Sequence, residues 1–180
     1  VDQQDVFYYV TMMNENYAQP DLPVGVESDV IRGCYLFGSY LPAGAAGHGD
    51  RSASNVTLMG SGAILPEVIK AARQLAAAGI AVQVFSVTSW SELARGGRGC
   101  TSGLPFVTQQ LQRSHGPIIA ATDYVCAVPE SVRAFIPDQR PFVTLGTDGF
   151  GRSDTRAALR SFFGVDAVHI EAAARRALGV

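Results

Sequence analysis

The sequence lacks features that define several other classes of protein. No uninterrupted apolar run reaches the ~18–20 residues of a membrane-spanning helix, so no membrane partner is expected. The three cysteines, Cys34, Cys100 and Cys126, are odd in number and widely spaced, which argues against a disulfide framework and favours a reducing, cytoplasmic location. Lys and Arg (14) do not exceed Asp and Glu (16), and the formal net charge is −2, so no nucleic-acid partner is expected.

Motifs for metal binding and nucleophilic catalysis are missing as well. The sequence contains no CxxC, HExxH or GxSxG pattern. Among the three histidines, His48, His115 and His169, His48 has a nearby acidic residue, Asp50, at a spacing suited to a shared ligand. Cys100 lies in a glycine-rich stretch and is interpreted as incidental. We therefore expect neither catalytic nor metal-binding residues in this chain.

The composition that is present describes one globular domain. The chain has 180 residues, of which 47% are apolar and 17% charged, and a chain of this length buries enough surface to fold without disulfides or metals. It does not begin with Met, and residues 1–5 are polar and acidic rather than signal-like. We therefore expect a piece of a longer protein without a secretory signal.

Hydrophobic periodicity and turn residues predict alternating strands and helices. The predicted strands are residues 6–11, 34–41, 56–59, 81–87, 117–122 and 141–145. The predicted helices are 28–31, 66–78, 89–94, 106–113, 129–136, 153–163 and 166–178, and the predicted loops include 42–54 and 95–103. From Asn55 onward the alternation predicts a parallel or mixed sheet covered by helices on both faces.

Gly60, Ser61 and Gly62 lie between a predicted strand and a predicted helix, where a dinucleotide-binding turn would lie. The third glycine of that fingerprint is replaced by Leu65, and the next strand is followed by Thr88 rather than by an acidic residue. Two interpretations remain: a tight turn that packs closely on the sheet, or a helix N-terminus that holds a small anion.

The segment from Gly146 to Asp154 combines glycines with charged residues after a predicted strand. At the carboxyl edge of a sheet, Asp148, Arg152 and Asp154 would form a charged ligand site or interface. Alternatively, Ser153 caps the next helix and Asp154 lies in its first turn.

Asn14, Glu15 and Asn16 follow the first predicted strand. A carboxylate between two amides suits a buried hydrogen-bonding hub, whereas asparagine also favours turns. Composition alone does not separate these two interpretations.

Five strings, taken together in order, resemble one family. They are YYVTMMNENYAQP (8–20), LMGSGAILPEV (58–68), VFSVTSWSELARGG (84–97), ATDYV (121–125) and TLGTDGFGRSDTRAALRSFFGVD (144–166). The sequence resembles the C-terminal end of the homodimeric-type pyruvate dehydrogenase E1 component and, more distantly, the C-terminal domain of transketolases.

The resemblance implies an α/β fold with three layers, α/β/α, around a mixed, mostly parallel five-stranded sheet. Residues 34–41 would form the antiparallel strand. Residues 1–25 would be the tail of a preceding pyrimidine-binding domain with its linker, and residues 26–180 a transketolase C-terminal-like domain.

The resemblance also implies a function for the parent enzyme: oxidative decarboxylation of pyruvate and acetyl transfer to a lipoyl E2 component of a multienzyme complex. Thiamine diphosphate and magnesium would be bound by preceding domains, so no cofactor is expected in this chain. The domain's role would be dimerisation and support, with the remaining E1 domains, a second E1 subunit and the lipoyl E2 component as partners.

The resemblance gives candidate residues for an interface: Thr147, Asp148, Phe150 and Arg152, which match the family's loop. The alternative function is an autonomous α/β module that binds a small anion or nucleotide at the 60–62 or the 146–154 loop.

Overall fold

The structure, a computed structural model, describes residues 15–44 and 55–180 together with Asp5, Phe7 and Tyr9. The predicted strand at 6–11 and the predicted loop at 42–54 lie mostly outside the described residues. His48 and Asp50 lie outside them entirely. The strands are β1 (Cys34–Tyr40), β2 (Asn55–Ser61), β3 (Ala81–Val87), β4 (Ile118–Ala121) and β5 (Phe142–Leu145). The α-helices are α1 (Glu27–Arg32), α2 (Leu65–Ala77), α3 (Trp90–Arg98), α4 (Phe106–Leu111), α5 (Ala127–Glu130), α6 (Arg156–Phe162) and α7 (Ala167–Leu178).

The five strands form one mixed sheet in the order β1-β3-β2-β4-β5. β1 is antiparallel to β3, and the other neighbours are parallel. The mixed sheet and the single antiparallel strand at 34–41 are therefore confirmed. After β2 the chain passes to β3 on one side of that strand and later to β4 on its other side. Such a switch point opens a crevice at the carboxyl ends of the strands.

Alternate residues of the central strands face two separate apolar layers, as expected for strands covered on both sides. One layer packs against α2 and α7 and includes Val56, Leu58, Val82, Val84, Ile119 and Ala121. The other packs against α3 and α4 and includes Cys34, Met59, Phe85, Val87, Ile118 and Phe142. The three-layer arrangement is thus confirmed. Burial raises the pKa of the Cys34 thiol to about 12.

The unit β2-α2-β3 follows the predicted pattern, with one correction. The buried face of α2 comprises Val68, Ala71, Ala72, Leu75 and Ala76, which recur at the spacing of one helix face. The tight turn predicted at 60–62 is wrong, because Gly60 and Ser61 are the last residues of β2. Gly60 lies so close to α2 that an added Cβ would lie 2.8 Å from Cγ2 of Val68.

The helix predicted at 89–94 begins as expected but runs to Arg98. The Ser89 hydroxyl caps it by accepting a hydrogen bond from the Glu92 N–H at 3.1 Å. The prediction of a loop from residue 95 is wrong for residues 95–98. Gly97 lies inside the helix against the ring of Phe135, which would have to shift to admit a larger residue.

Two other predicted helices differ from the structure. The helix predicted at 129–136 is divided into α5 and a 3-10 turn at Arg133–Phe135. The helix predicted from Ser153 begins only at Arg156, and its cap is Thr155, whose hydroxyl accepts a hydrogen bond from the Ala158 N–H at 3.3 Å. The predicted cap of α7 is confirmed, because the Asp166 carboxylate accepts from the His169 N–H at 3.0 Å. Within the described residues, no helix combines the length and apolar character needed to cross a membrane.

Candidate functional site

The carboxyl ends of β2, β4 and β5 meet at the switch point of the sheet. There the Ser61 and Thr122 hydroxyls lie 2.7 Å apart, buried between neighbouring parallel strands. The Thr147 hydroxyl donates to the Asp123 carbonyl at 2.6 Å, and so joins the segment after β5 to the segment after β4. These bonds hold the ends of three strands together beneath one crevice.

A cleft of about 350 Å³ opens at this edge of the sheet, and we call it the arginine cleft. It is lined by Ala63, Ile64, Asp123, Thr147, Gly151, Arg152, Arg156, Leu159, Arg160, Phe163 and Val165. Its lining combines an apolar floor, three guanidinium groups and one carboxylate. Because Ala63 and Ile64 directly precede the first residue of α2, the cleft also lies at the N-terminal end of that helix.

Glu15 brings an acidic side chain to the arginines of α6. Its Oε2 lies 2.7 Å from Nη2 of Arg160 and 3.6 Å from Nε of Arg156. On its other side, Arg160 lies 3.6 Å from Oε1 of Glu67, whose second oxygen accepts a hydrogen bond from the Ala167 N–H at the start of α7. Of the two interpretations of residues 14–16, the structure supports a partly buried hub for Glu15. Asn14 lies outside the described residues.

The segment 146–154 has an anchored base and an exposed tip. At its base, the Asp148 carboxylate accepts a hydrogen bond from the Cys126 N–H at 2.9 Å. Burial, followed by the hydrogen bond and charge of Asp148, raises the pKa of the Cys126 thiol. Gly146 packs against the same turn, where an added Cβ would lie 2.6 Å from the Tyr124 carbonyl oxygen. At the tip, the Phe150 side chain is 96% exposed.

The structure brings together only some of the predicted site residues. Thr147 and Arg152 line the arginine cleft, whereas Asp148 and Phe150 line a neighbouring pocket that Arg152 also borders. Gly60 and Ser61 are buried in β2, and Gly62 is exposed beside the Asp123 carboxylate. An anion bound by residues 60–62 stays a prediction.

The other charged and reactive residues that the sequence singled out lie apart from the cleft lining. Asp154 is bonded locally, accepting from the Thr155 N–H at 2.6 Å. His115 is exposed, and its carbonyl accepts from Thr57 at the opposite edge of the sheet. Cys100 donates to the Ser102 carbonyl within its own turn.

Sequence reasoning missed Arg140, the most extensively bonded arginine of the described chain. Its guanidinium donates to the carbonyls of Gly116 (2.6 Å) and Leu111 (2.9 Å) and to the Thr57 hydroxyl (2.7 Å), and it also bonds Ser114. Burial lowers the pKa of Arg140 to about 10, so the group stays charged at neutral pH. It holds together the chain segments that lead into β2, β4 and β5.

The described residues contain no group of three His, Cys, Asp or Glu side chains placed to hold a metal ion. The chemistry of the arginine cleft is instead that of ion pairing and hydrogen bonding, with hydroxyl and carboxylate groups facing three guanidinium groups.

Comparison with known proteins gives a consistent result. A family model described as the transketolase-like TK C-terminal domain matches residues 38–166. The chain is 43% identical over 188 residues to the pyruvate dehydrogenase E1 component of Cupriavidus necator, covering 98% of this chain and 20% of that protein. It is 39% identical over 183 residues to the same component of Escherichia coli, covering 96% of this chain and 19% of that protein.

A solved transketolase structure, from Leishmania mexicana, shares the fold with a TM-score of 0.55 at 17% identity, covering 84% of this chain and 19% of that one. The chain spans about a fifth of the length of the curated pyruvate dehydrogenase E1 relatives it matches.

Proposed function

This chain belongs to the transketolase-like C-terminal domain family, and from that premise we propose that it is the C-terminal domain of a thiamine-diphosphate-dependent pyruvate dehydrogenase E1 component. The observation that carries the proposal is the 43% identity to such a component along 98% of this chain. The parent enzyme would decarboxylate pyruvate oxidatively and transfer the acetyl group to a lipoyl E2 component, in the cytoplasm.

In this proposal the domain supports the enzyme rather than carrying out the chemistry. Magnesium and thiamine diphosphate would be bound by the parent enzyme's other domains. Residues 1–25 would be the tail of the preceding domain and its linker. The Glu15–Arg160 ion pair fastens that segment to the C-terminal domain.

The exposed tip of the 146–154 loop, with the neighbouring turn after β4, is proposed as the contact with the remaining E1 domains or with a second E1 subunit. Tyr124, Val125 and Phe150 expose apolar side chains there, with Phe150 almost fully accessible. Thr147 and Asp148 anchor the loop to the turn after β4, which reduces its freedom before any partner binds. A rigid base with an apolar tip is the arrangement expected of an interface anchor.

Calorimetry on the isolated chain tests the assignment of the cofactor. Thiamine diphosphate titrated with magnesium into the 180-residue chain is expected to give no binding heat, and the chain alone is expected not to oxidise pyruvate. Saturable micromolar binding, or turnover by the chain, would contradict the proposal.

A pair of substitutions in the full-length enzyme tests the interface. Phe150→Ser is expected to weaken assembly of the dimer about tenfold, because it removes an apolar anchor. Ile31→Ser is the matched control: Ile31 is 79% exposed on α1, which packs beside β1 at the other edge of the sheet. Sedimentation analysis that shows equal effects for the two variants would contradict an interface at the loop.

A further inference from the structure

We propose that the arginine cleft binds a small organic anion. Its carboxylate or phosphate group contacts Arg152 and Arg156, and its apolar part packs on Ile64, Leu159 and Phe163. This inference goes beyond the proposed function, which gives the domain a supporting role and no ligand of its own.

The position of the cleft is the first argument. It lies where the strand order reverses between β2 and β4, outside the carboxyl ends of the parallel strands. Open α/β sheets bind ligands in this crevice because the loops on either side diverge there. The cleft also lies at the N-terminal end of α2, a helix of 13 residues whose partial positive charge favours an anion.

The second argument is that the arginines already hold an anionic group. The Glu15 carboxylate, from a segment 145 residues away in sequence, contacts Arg160 and lies between it and Arg156. A carboxylate from elsewhere in the chain thus shows that these guanidinium groups accept an anion. Arg152 stands at 4.0 Å over the Phe162 ring, and within the described chain it has no carboxylate partner.

The third argument concerns the shape and polarity of the cleft. About 350 Å³ is at the lower end of the range for small-molecule pockets. Its floor is apolar, which favours a ligand with a carbon body over a free inorganic ion. Asp123 and Thr147 line the cleft as well, so a hydroxyl or amino group on the ligand would find an acceptor there.

An incoming anion would share its guanidinium partners with Glu15. Removing the Glu15 charge while keeping the length of its side chain should therefore tighten binding, because Arg156 and Arg160 lose a competing carboxylate. A site that depended on Glu15 itself would respond in the opposite direction.

The test uses methyl NMR spectroscopy of the chain during titration with four probes: phenyl phosphate, benzoate, inorganic phosphate and benzyl alcohol. We expect the Ile64 and Leu159 methyl signals to shift during titration with phenyl phosphate or benzoate. The affinities for inorganic phosphate and benzyl alcohol are expected to be at least about fivefold lower. The comparison of the first two probes shows which anionic group is preferred. No shift at these methyls, or equal binding of the neutral alcohol, would overturn the proposal.

Three variants then locate the anion. Arg152→Gln is expected to weaken binding about fivefold and Glu15→Gln to strengthen it about threefold, because each changes one charge beside the ligand. Arg175→Gln is the control: it removes an arginine paired with Glu171 within α7, away from the cleft lining. Circular dichroism confirms that each variant is folded. Unchanged binding in Arg152→Gln, or weaker binding in Glu15→Gln, would contradict the proposal.

Discussion

Phe135 packs against the backbone of Gly97, so closely that a Cβ at residue 97 would lie 2.3 Å from the Cε2 atom of its ring. This contact joins the last turn of α3 to the 3-10 turn after α5, on the face of the sheet opposite the arginine cleft. The glycine therefore serves packing in the interior of a helix, where it is otherwise unfavourable.

We predict that Gly97→Ala destabilises the chain by about 2 kcal/mol, because the added methyl group overpacks a closed contact. Gly96→Ala is the matched control on the same helix, since an added Cβ meets nothing within 4 Å there. That variant should be neutral or stabilise by up to about 1 kcal/mol through helix propensity. Urea unfolding measures both, and similar effects would refute the packing role.

Gly60→Ala is predicted to destabilise the chain by about 1–3 kcal/mol through overpacking. An added Cβ would lie 2.8 Å from Cγ2 of Val68 and 3.2 Å from Cα of Leu65, and the second contact is with helix backbone that cannot turn aside. Gly151→Ala, where nothing lies within 4 Å, should leave the free energy of unfolding nearly unchanged. Equal thermal unfolding of the two variants would speak against close packing at Gly60.

Arg140→Gln is predicted to cost about 3 kcal/mol, because several buried carbonyls lose their donor. Arg140→Lys should recover only part of this, since an ammonium group cannot reproduce the planar fork that reaches Gly116, Leu111 and Thr57. Arg113→Gln is the control, because Arg113 is exposed. The free energies of unfolding in urea should follow this order, and a wild-type value for Arg140→Gln would disprove it.

The Asp166 carboxylate is predicted to make the free energy of unfolding depend on pH. Burial raises the pKa of its carboxyl group, but the hydrogen bonds from the His169 N–H and imidazole outweigh burial, and the pKa lies below its ordinary value of 3.8. A lowered native pKa means that the carboxylate stabilises the fold above the unfolded pKa, and that this contribution is lost as the pH falls through the native pKa. Asp166→Asn retains a capping oxygen but removes the charge.

The difference in unfolding free energy between wild type and Asp166→Asn should therefore shrink as the pH falls from about 5 through the lowered native pKa of Asp166. Asp166→Ala removes the cap as well and should cost about 1 kcal/mol near neutral pH. A wild-type advantage over Asp166→Asn that grows on acidification would contradict the assigned direction of the pKa.

The sequence was informative where local chemistry decides the structure. The apolar stripe of α2, the Ser89 and Asp166 caps and the strand at 81–87 are all encoded by neighbouring residues, and the structure confirms them. The parallel pairing of β2 with β3 follows from the same helix between them. The resemblance to a known family added the antiparallel strand at 34–41, which periodicity alone did not orient.

The sequence was misleading where a distant contact overrides local preference. Glycines at 96, 97, 99 and 103 predicted a loop, but residues 95–98 belong to α3, where Gly97 packs against Phe135. Ser153 was the expected cap of α6, yet Thr155 occupies that position two residues later. Phe135 is too far from Gly97 in sequence to give a signal. Ser153 and Thr155 are both favourable capping residues, so residue type did not separate them.

The candidate site was only partly predicted, again because some of its contacts join residues that are distant in sequence. Arg152 was identified from its loop, because glycine-rich segments at the carboxyl edge of a sheet are recognisable, whereas Thr147 came from the resemblance to a known family. Arg156 and Arg160 look like ordinary helix-surface arginines until Glu15 is placed against them, across 145 residues of sequence. Arg140 gave no signal because its partners are backbone carbonyls and hydroxyl groups of residues distant in sequence, which no residue pattern reveals.

The thiol of Cys34 has a practical consequence. It is fully enclosed, and with a pKa near 12 almost none of it exists as the thiolate that reacts with alkylating reagents. Its rate of modification therefore reports how often the molecule opens. Cys34 can be labelled only when β1 separates from the apolar layer that packs against α3 and α4.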